Sequence, residues 1–306
     1  LTHAALANFP DDGFASLGIP RMHFVPTIVF PMVWVVAYFI LRIRNSKRLK
    51  NRSMAYAALA VMTLCVPLLV VFAHVPYELS HEQLTLVFEV SQFFWVGLLM
   101  VQVTMTRGGY GLLMFFGVTL VYGIVLENTG IVMNFFYEPS FRLYIFSLPA
   151  PLCTVLGWSV VFYIMVSVTE SFSKWYPWLK QGIWRRAFVA TAMALCLDAQ
   201  LDPLASMSGV FWRWNELLPP AFLGVPLINF AAWFGAFLPF TYFTFYILDR
   251  EDWGPRRQNW ELFLRISWSA LLGGLLCFAV MAIAEGGFGG PTFKILAAFQ
   301  DRLMPY

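Results

Sequence analysis

Two carboxylates stand four residues apart at the end of a long apolar run, in Asp198-Ala199-Gln200-Leu201-Asp202-Pro203. On a helix that spacing sets them one turn apart on one face. The preceding residues, Ala187 to Leu197, are almost all apolar, so the pair reads as the end of a membrane-spanning helix. A carboxylate at membrane depth costs roughly 2.5–3.5 kcal/mol on insertion scales, and such groups mark function. Like charges this close resist ionising together, so one of a pair holds a proton and can act as an acid while its neighbour stays ionised. Pro203 is expected to end the helix and to bias Asp202 away from helical dihedrals.

Other polar groups fall at the same depth. Glu127 and Asn128 close one apolar run, Asn229 lies early in a later one, and Glu89 lies about two turns into another. Glu127, Asp198, Asp202 and Asn229 are therefore expected to line one concavity near the outer membrane boundary. For Glu127 and Asp202 the alternative is a helix-end residue reaching water. For Glu89 it is snorkelling to the interface or pairing with Arg142.

The elements that must position these groups follow from composition. The chain has 306 residues, of which 59% are hydrophobic and only 12% charged, and its mean hydropathy is +0.68. Soluble domains run to about 25% charged, so this is an integral membrane protein. Aromatics make up 18% of the chain, which suits membrane interfaces and leaves enough to line an apolar internal groove. Apolar runs long enough to span occur at about 24–41, 54–73, 84–105, 110–128, 148–168, 187–203, 222–248 and 262–284. The fold class expected is an all-α polytopic transmembrane bundle with about eight spans, forming a single domain over residues 1–306. Residues 1–23 are expected to be irregular outer-surface chain without the basic start and small-residue cleavage site of a secretion leader. Residues 293–306 are expected to form a short amphipathic tail helix.

If the spans alternate, fifteen of the twenty lysines and arginines fall on one side, concentrated in Arg42–Arg52, Lys174–Arg186 and Arg250–Arg265. The positive-inside rule then puts both termini outside, in what reads as a prokaryotic cytoplasmic membrane. The basic run Arg42–Arg52 reads as a topology determinant, with anionic lipid head groups as its other use. Cys65, Cys153, Cys196 and Cys277 all lie in apolar runs without metal-ligand spacing and read as buried free thiols. His74, Glu78 and His81 flank one loop in a spacing that fits no specific metal motif. No phosphate-binding loop, dinucleotide fingerprint or nucleophile elbow occurs, and nothing supports nucleic-acid binding.

Four segments occur in a telling order: Glu127-Asn128-Thr129-Gly130; Leu197-Asp198-Ala199-Gln200-Leu201-Asp202-Pro203; Gly209-Val210-Phe211-Trp212-Arg213-Trp214; and Gly224-Val225-Pro226-Leu227-Ile228-Asn229-Phe230-Ala231-Ala232-Trp233-Phe234. Over about residues 85–250 the chain resembles the integral-membrane carotenoid hydratases, which include bisanhydrobacterioruberin hydratase and the carotenoid 1,2-hydratases. The resemblance implies addition of water to the terminal isopropylidene double bond of an acyclic carotenoid. It implies Asp198 as the acid, Asp202 and Glu127 as partners of the water or the cation, and Asn229 as the orienting group. Trp158, Trp212, Trp214, Phe230 and Trp233 would contact the polyene, and no organic cofactor or metal is needed. The expected partners are an acyclic carotenoid and membrane lipid.

The chain also departs from that family's pattern. Leu197 stands where the family has Trp before the first Asp. Asn134 to Pro139 replaces a Gly-rich and Tyr-rich stretch, and the proline-rich start of the fifth span survives only as Pro149, Pro151 and Trp158. These departures favour a second reading, a non-catalytic carotenoid- or lipid-binding subunit of a larger photosynthetic or respiratory membrane complex. A third reading is another isoprenoid enzyme, a lycopene-type cyclase or a prenyltransferase. The latter would need a second aspartate-rich motif and nearby basic residues, which the sequence lacks.

Overall fold

The computed structural model describes residues 81–138, 141–208 and 211–303, with scattered helical residues between 36 and 60. The runs expected at 24–41 and 54–73 lie largely outside the described residues, as do His3, His23, His74, Glu78 and Cys65. Helices dominate: α1 (His81–Leu112), α2 (Thr119–Val132), α3 (Leu152–Ser173), α4 (Pro177–Lys180), α5 (Ile183–Ser208), α6 (Leu227–Leu248), α7 (Pro255–Leu264), α8 (Ile266–Ala284) and α9 (Pro291–Leu303). A π-helical segment, Leu113–Val118, joins α1 to α2. In hydrocarbon every backbone polar group must be satisfied internally, which makes helices the solution for runs this apolar. Prolines set several starts. Pro177, Pro255 and Pro291 open α4, α7 and α9, where their missing N–H is not needed.

Among the described residues, four helical segments are long and apolar enough to cross a membrane: Phe88–Val132, Leu152–Ser173, Leu227–Leu248 and Ile266–Ala284. The first is one run of 45 residues where the sequence suggested two spans. It breaks at Gly108, whose φ of 71° and ψ of −174° are non-helical. Contacts at both ends show that the chain reverses there. Glu89, early in α1, accepts hydrogen bonds from the Arg142 and Leu143 backbone N–H groups at 3.0 and 3.2 Å, just beyond the end of α2. Arg107, late in α1, pairs with Glu170 near the end of α3. Glu89 thus anchors the α2–α3 connection through its backbone.

Other boundaries also move. Pro203 does not end its helix: α5 continues to Ser208. Proline removes one N–H and crowds the carbonyl four residues back, but neighbouring helices can compensate within a membrane bundle. The seventh run begins with a hairpin, β3 (Pro220–Phe222) with β4 (Val225–Pro226), before α6 starts. The start of the eighth becomes the separate helix α7. A second pair, β1 (Phe136–Tyr137) with β2 (Arg213–Trp214), is antiparallel and joins the α2–α3 and α5–α6 connections. The all-α expectation therefore holds for the bundle and fails for the α2–α3 and α5–α6 connections.

Helix α6 packs between α5 and α8, and α3 packs against α1, α2 and α5. The α6–α8 crossing is close because both helices carry glycine there. A Cβ on Gly235 would stand 2.3 Å from the Gly273 carbonyl oxygen. Small residues at such crossings let backbones meet in membranes. An aromatic core of Tyr122, Phe162, Tyr163, Phe237, Phe240 and Phe245 fills the bundle centre. The Tyr122 hydroxyl donates to the Ala236 carbonyl at 3.0 Å. At one end of the bundle Arg107 pairs with Glu170 and Arg186 with Asp249. Glu127, Asp198, Asp202 and Asn229 occupy the opposite ends of their helices.

Candidate functional site

The end of the bundle opposite the Arg107 and Arg186 ion pairs holds a cavity of about 570 Å³ with a predominantly apolar wall. Its wall draws on α1 through Phe88 and Gln92, on α2 through Tyr122 and Glu127, on α3 through Thr154 and Trp158, on α5 through Leu197 and Asp202, on α6 through Asn229 and Trp233, and on α8 through Gly274 and Phe278. Trp212 and Trp214 close it from the α5–α6 connection. Phe136 lies against Trp214 with ring centroids 5.4 Å apart, across the β1–β2 pairing.

Local sequence explains this closure. Asn134, at φ 65°, ends α2 in the left-handed conformation that asparagine tolerates. Its N–H bonds the Ile131 carbonyl and the Phe135 N–H bonds the Gly130 carbonyl. The turn lays the Phe136 ring directly over Gly130, where a Cβ would stand 2.3 Å from the ring. The neighbouring Asn128 also works in structure: its Oδ1 accepts from the Ala150 N–H at 3.1 Å.

The polar end of the cavity is built from carboxyls. Asp198 is 0% exposed, Asp202 4% and Glu127 8%. The Asn229 amide donates to both oxygens of Asp198, at 3.1 and 2.9 Å. The Asp198 and Asp202 carboxyls are hydrogen-bonding neighbours, and Asp202 also feels the charge of Glu127. Trp158 Nε1 donates to Glu127. The Trp158 ring lies 4.8 Å from that of Trp233, so aromatic faces stand beside the carboxyls. Such faces attract cations.

The structure brings Glu127, Asp202, Asn229, Trp158, Trp212, Trp214 and Trp233 to one cavity wall. Asp198 lies behind that wall, reached through Asn229 and Asp202. Phe230 does not line the cavity; it packs edge-on to Phe222 at 6.1 Å. Of the cysteines, Cys153 and Cys277 are buried against the cavity, whereas Cys196 is exposed rather than buried. Among the described residues no three His, Cys, Asp or Glu side chains converge in a metal-holding arrangement.

One carboxyl at this site escaped the sequence reading. Glu138, 5% exposed, lies just after β1 with its carboxyl beside that of Glu127. Thr154 Oγ1 donates to its Oε2 at 3.2 Å. Burial first, then the charge and hydrogen bond of Glu127, hold the Glu138 carboxyl well above the ordinary carboxylate range. The available signal was that Glu138 is the one charged residue between Glu127 and Arg142.

Residues 83–293 match the family described as carotenoid biosynthesis protein, which is well over half of the chain. The chain belongs to that family. No curated protein and no solved structure matches it. Membership of the carotenoid biosynthesis family assigns the chain a role in carotenoid biosynthesis, and an apolar cavity walled by aromatics suits a polyene. Glu127 and Asp202 stand on that cavity's wall.

Proposed function

We propose that the chain is a carotenoid hydratase, adding water by acid catalysis to the terminal isopropylidene double bond of an acyclic carotenoid. The observation that carries this reading is the seating of Asp202 and Glu127 together on the wall of a predominantly apolar, aromatic cavity. An alkene offers nothing to bind but its π-face and its carbon skeleton. The catalyst must supply a strong acid, a dry site and a base for water.

The proton is assigned to Asp202, which reaches the cavity, with Asp198 as the ionised partner held by Asn229. The Asp202 O–H bond breaks as a C–H bond forms at the less substituted alkene carbon. A tertiary cation remains beside the Trp158 and Trp233 rings, which stabilise it. Water forms the new C–O bond and releases one proton to Glu127. Passage of that proton from Glu127 to Asp202, its electrostatic neighbour, restores the starting state, so the net reaction consumes only water and alkene.

The span count and orientation belong to the same proposal: eight spans, both termini outside, in a prokaryotic cytoplasmic membrane. The segregation of fifteen basic residues to one side supports it, as does the placing of the Arg107 and Arg186 ion pairs opposite the carboxyl cluster. The test is chromatography of an acyclic carotenoid incubated with membranes containing the chain. A hydroxylated product supports the reading. Its absence, with carotenoid retained on the purified protein, favours a non-catalytic carotenoid-binding subunit.

A further inference from the structure

Glu138 has no place in the reaction as written, yet its carboxyl is almost wholly buried against Glu127. Its two oxygens differ. Oε2 accepts the Thr154 hydroxyl, while Oε1 is buried and receives no N–H or hydroxyl donor. A buried carboxylate oxygen without a donor is expensive. The same oxygen is satisfied if it bears a proton, because it then needs an acceptor, and the Glu127 carboxyl is within reach. Two carboxyls can share a hydrogen bond only when one of them is protonated.

We propose that Glu138 is a neutral carboxylic acid whose O–H donates to Glu127, and that this bond holds Glu127 ionised as the base for water. Glu127 then accepts from two sides, from Trp158 Nε1 and from Glu138. The titratable groups facing Glu138 are Glu127 on α2 and Asp202 on α5, with Cys153 on α3 and Tyr144 in the connection also sensing it. Glu138 does not line the cavity; it is a positioning residue that acts through Glu127. The inference rests on the hydratase reading for the chemistry of Glu127, but the protonation of Glu138 is independent of it.

The experiment pairs infrared spectroscopy of the purified protein with turnover across pH, for the native chain, Glu138→Gln and Glu138→Leu. The native protein should show a protonated-carboxyl C=O band at neutral pH, part of which disappears in Glu138→Gln. Glu138→Leu should lose about 10²-fold in turnover at neutral pH, the lower range for positioned acid–base groups, and regain rate as pH rises. Glu138→Gln, whose amide still donates, should restore most of that loss. A band identical in native protein and Glu138→Gln overturns the protonation, and if Glu138→Leu does not fold this comparison alone decides it. A Glu138→Leu protein with the native pH profile overturns the effect on Glu127. If native membranes hydrate no acyclic carotenoid, the hydratase reading and the role of Glu127 as base fall together. The band still decides whether Glu138 holds its proton.

Discussion

The side-chain amide of Asn229, at the start of α6, donates to both carboxylate oxygens of Asp198 on α5, at 3.1 and 2.9 Å. The contact joins two distant motifs at the carboxyl-bearing end of the bundle. Asp198 is wholly buried, and this contact supplies N–H donors to both of its oxygens. Asn229→Leu should remove it and cost about 1–3 kcal/mol, the penalty for an unsatisfied buried polar group, more for a charged one. Thermal unfolding in detergent measures the loss; an unchanged midpoint would show that Asp198 has other support.

The closure of the cavity depends on Gly130. Gly130→Val should push the Phe136 ring away and loosen the β1–β2 pairing against Trp214, at about 1–3 kcal/mol as for other overpacking changes. Carotenoid affinity, read by absorbance titration, should fall in parallel. Native affinity in Gly130→Val would show that Phe136 and Trp214 do not hold the polyene.

Stability should depend on pH through Glu138. Its carboxyl releases its proton near the ordinary value of 4.5 when unfolded and well above that when folded. Between those values the folded state binds the extra proton, so stability falls as pH rises through this window. Glu138→Gln removes this group's contribution to the slope. Unfolding midpoints measured from mildly acidic to mildly alkaline pH should fall less for the variant than for the native chain. Parallel curves would contradict the assignment.

Orientation can be tested on exposed residues. In a background without native cysteines, Lys180→Cys should react with an impermeant thiol reagent only after the membrane is opened. Glu216→Cys should react when only the outer surface is accessible. The reverse pattern would invert the proposed topology.

Much of this site was legible in the sequence because charge is so scarce. With 12% charged residues, a carboxylate at the end of an apolar run stands out, and Glu127, Asp202 and Asn229 do share one wall. Which aspartate faces the cavity was not legible. Residues one turn apart share a face, and their order along the axis relative to the cavity depends on how α5 packs against α6. Phe230 and Trp233, three residues apart, lie near one face of α6, so no helical pattern could show that Trp233 lines the cavity and Phe230 packs on Phe222 instead. The break at Gly108 falls between the runs expected at 84–105 and 110–128, whereas the strand pairs were hidden because two-residue strands carry no periodicity. Glu138 was missed for a similar reason. Its place is fixed by the turn at Asn134, which no helical pattern announces.

The most direct test of the central claim is the turnover of an acyclic carotenoid by native membranes and by membranes carrying Asp202→Asn, with polyene binding measured on the same samples. The amide keeps the shape of the side chain but cannot protonate an alkene. The account predicts a hydroxylated product from the native protein, a loss of about 10²–10⁴-fold in Asp202→Asn, and nearly unchanged binding. Native-level hydration by Asp202→Asn would contradict it.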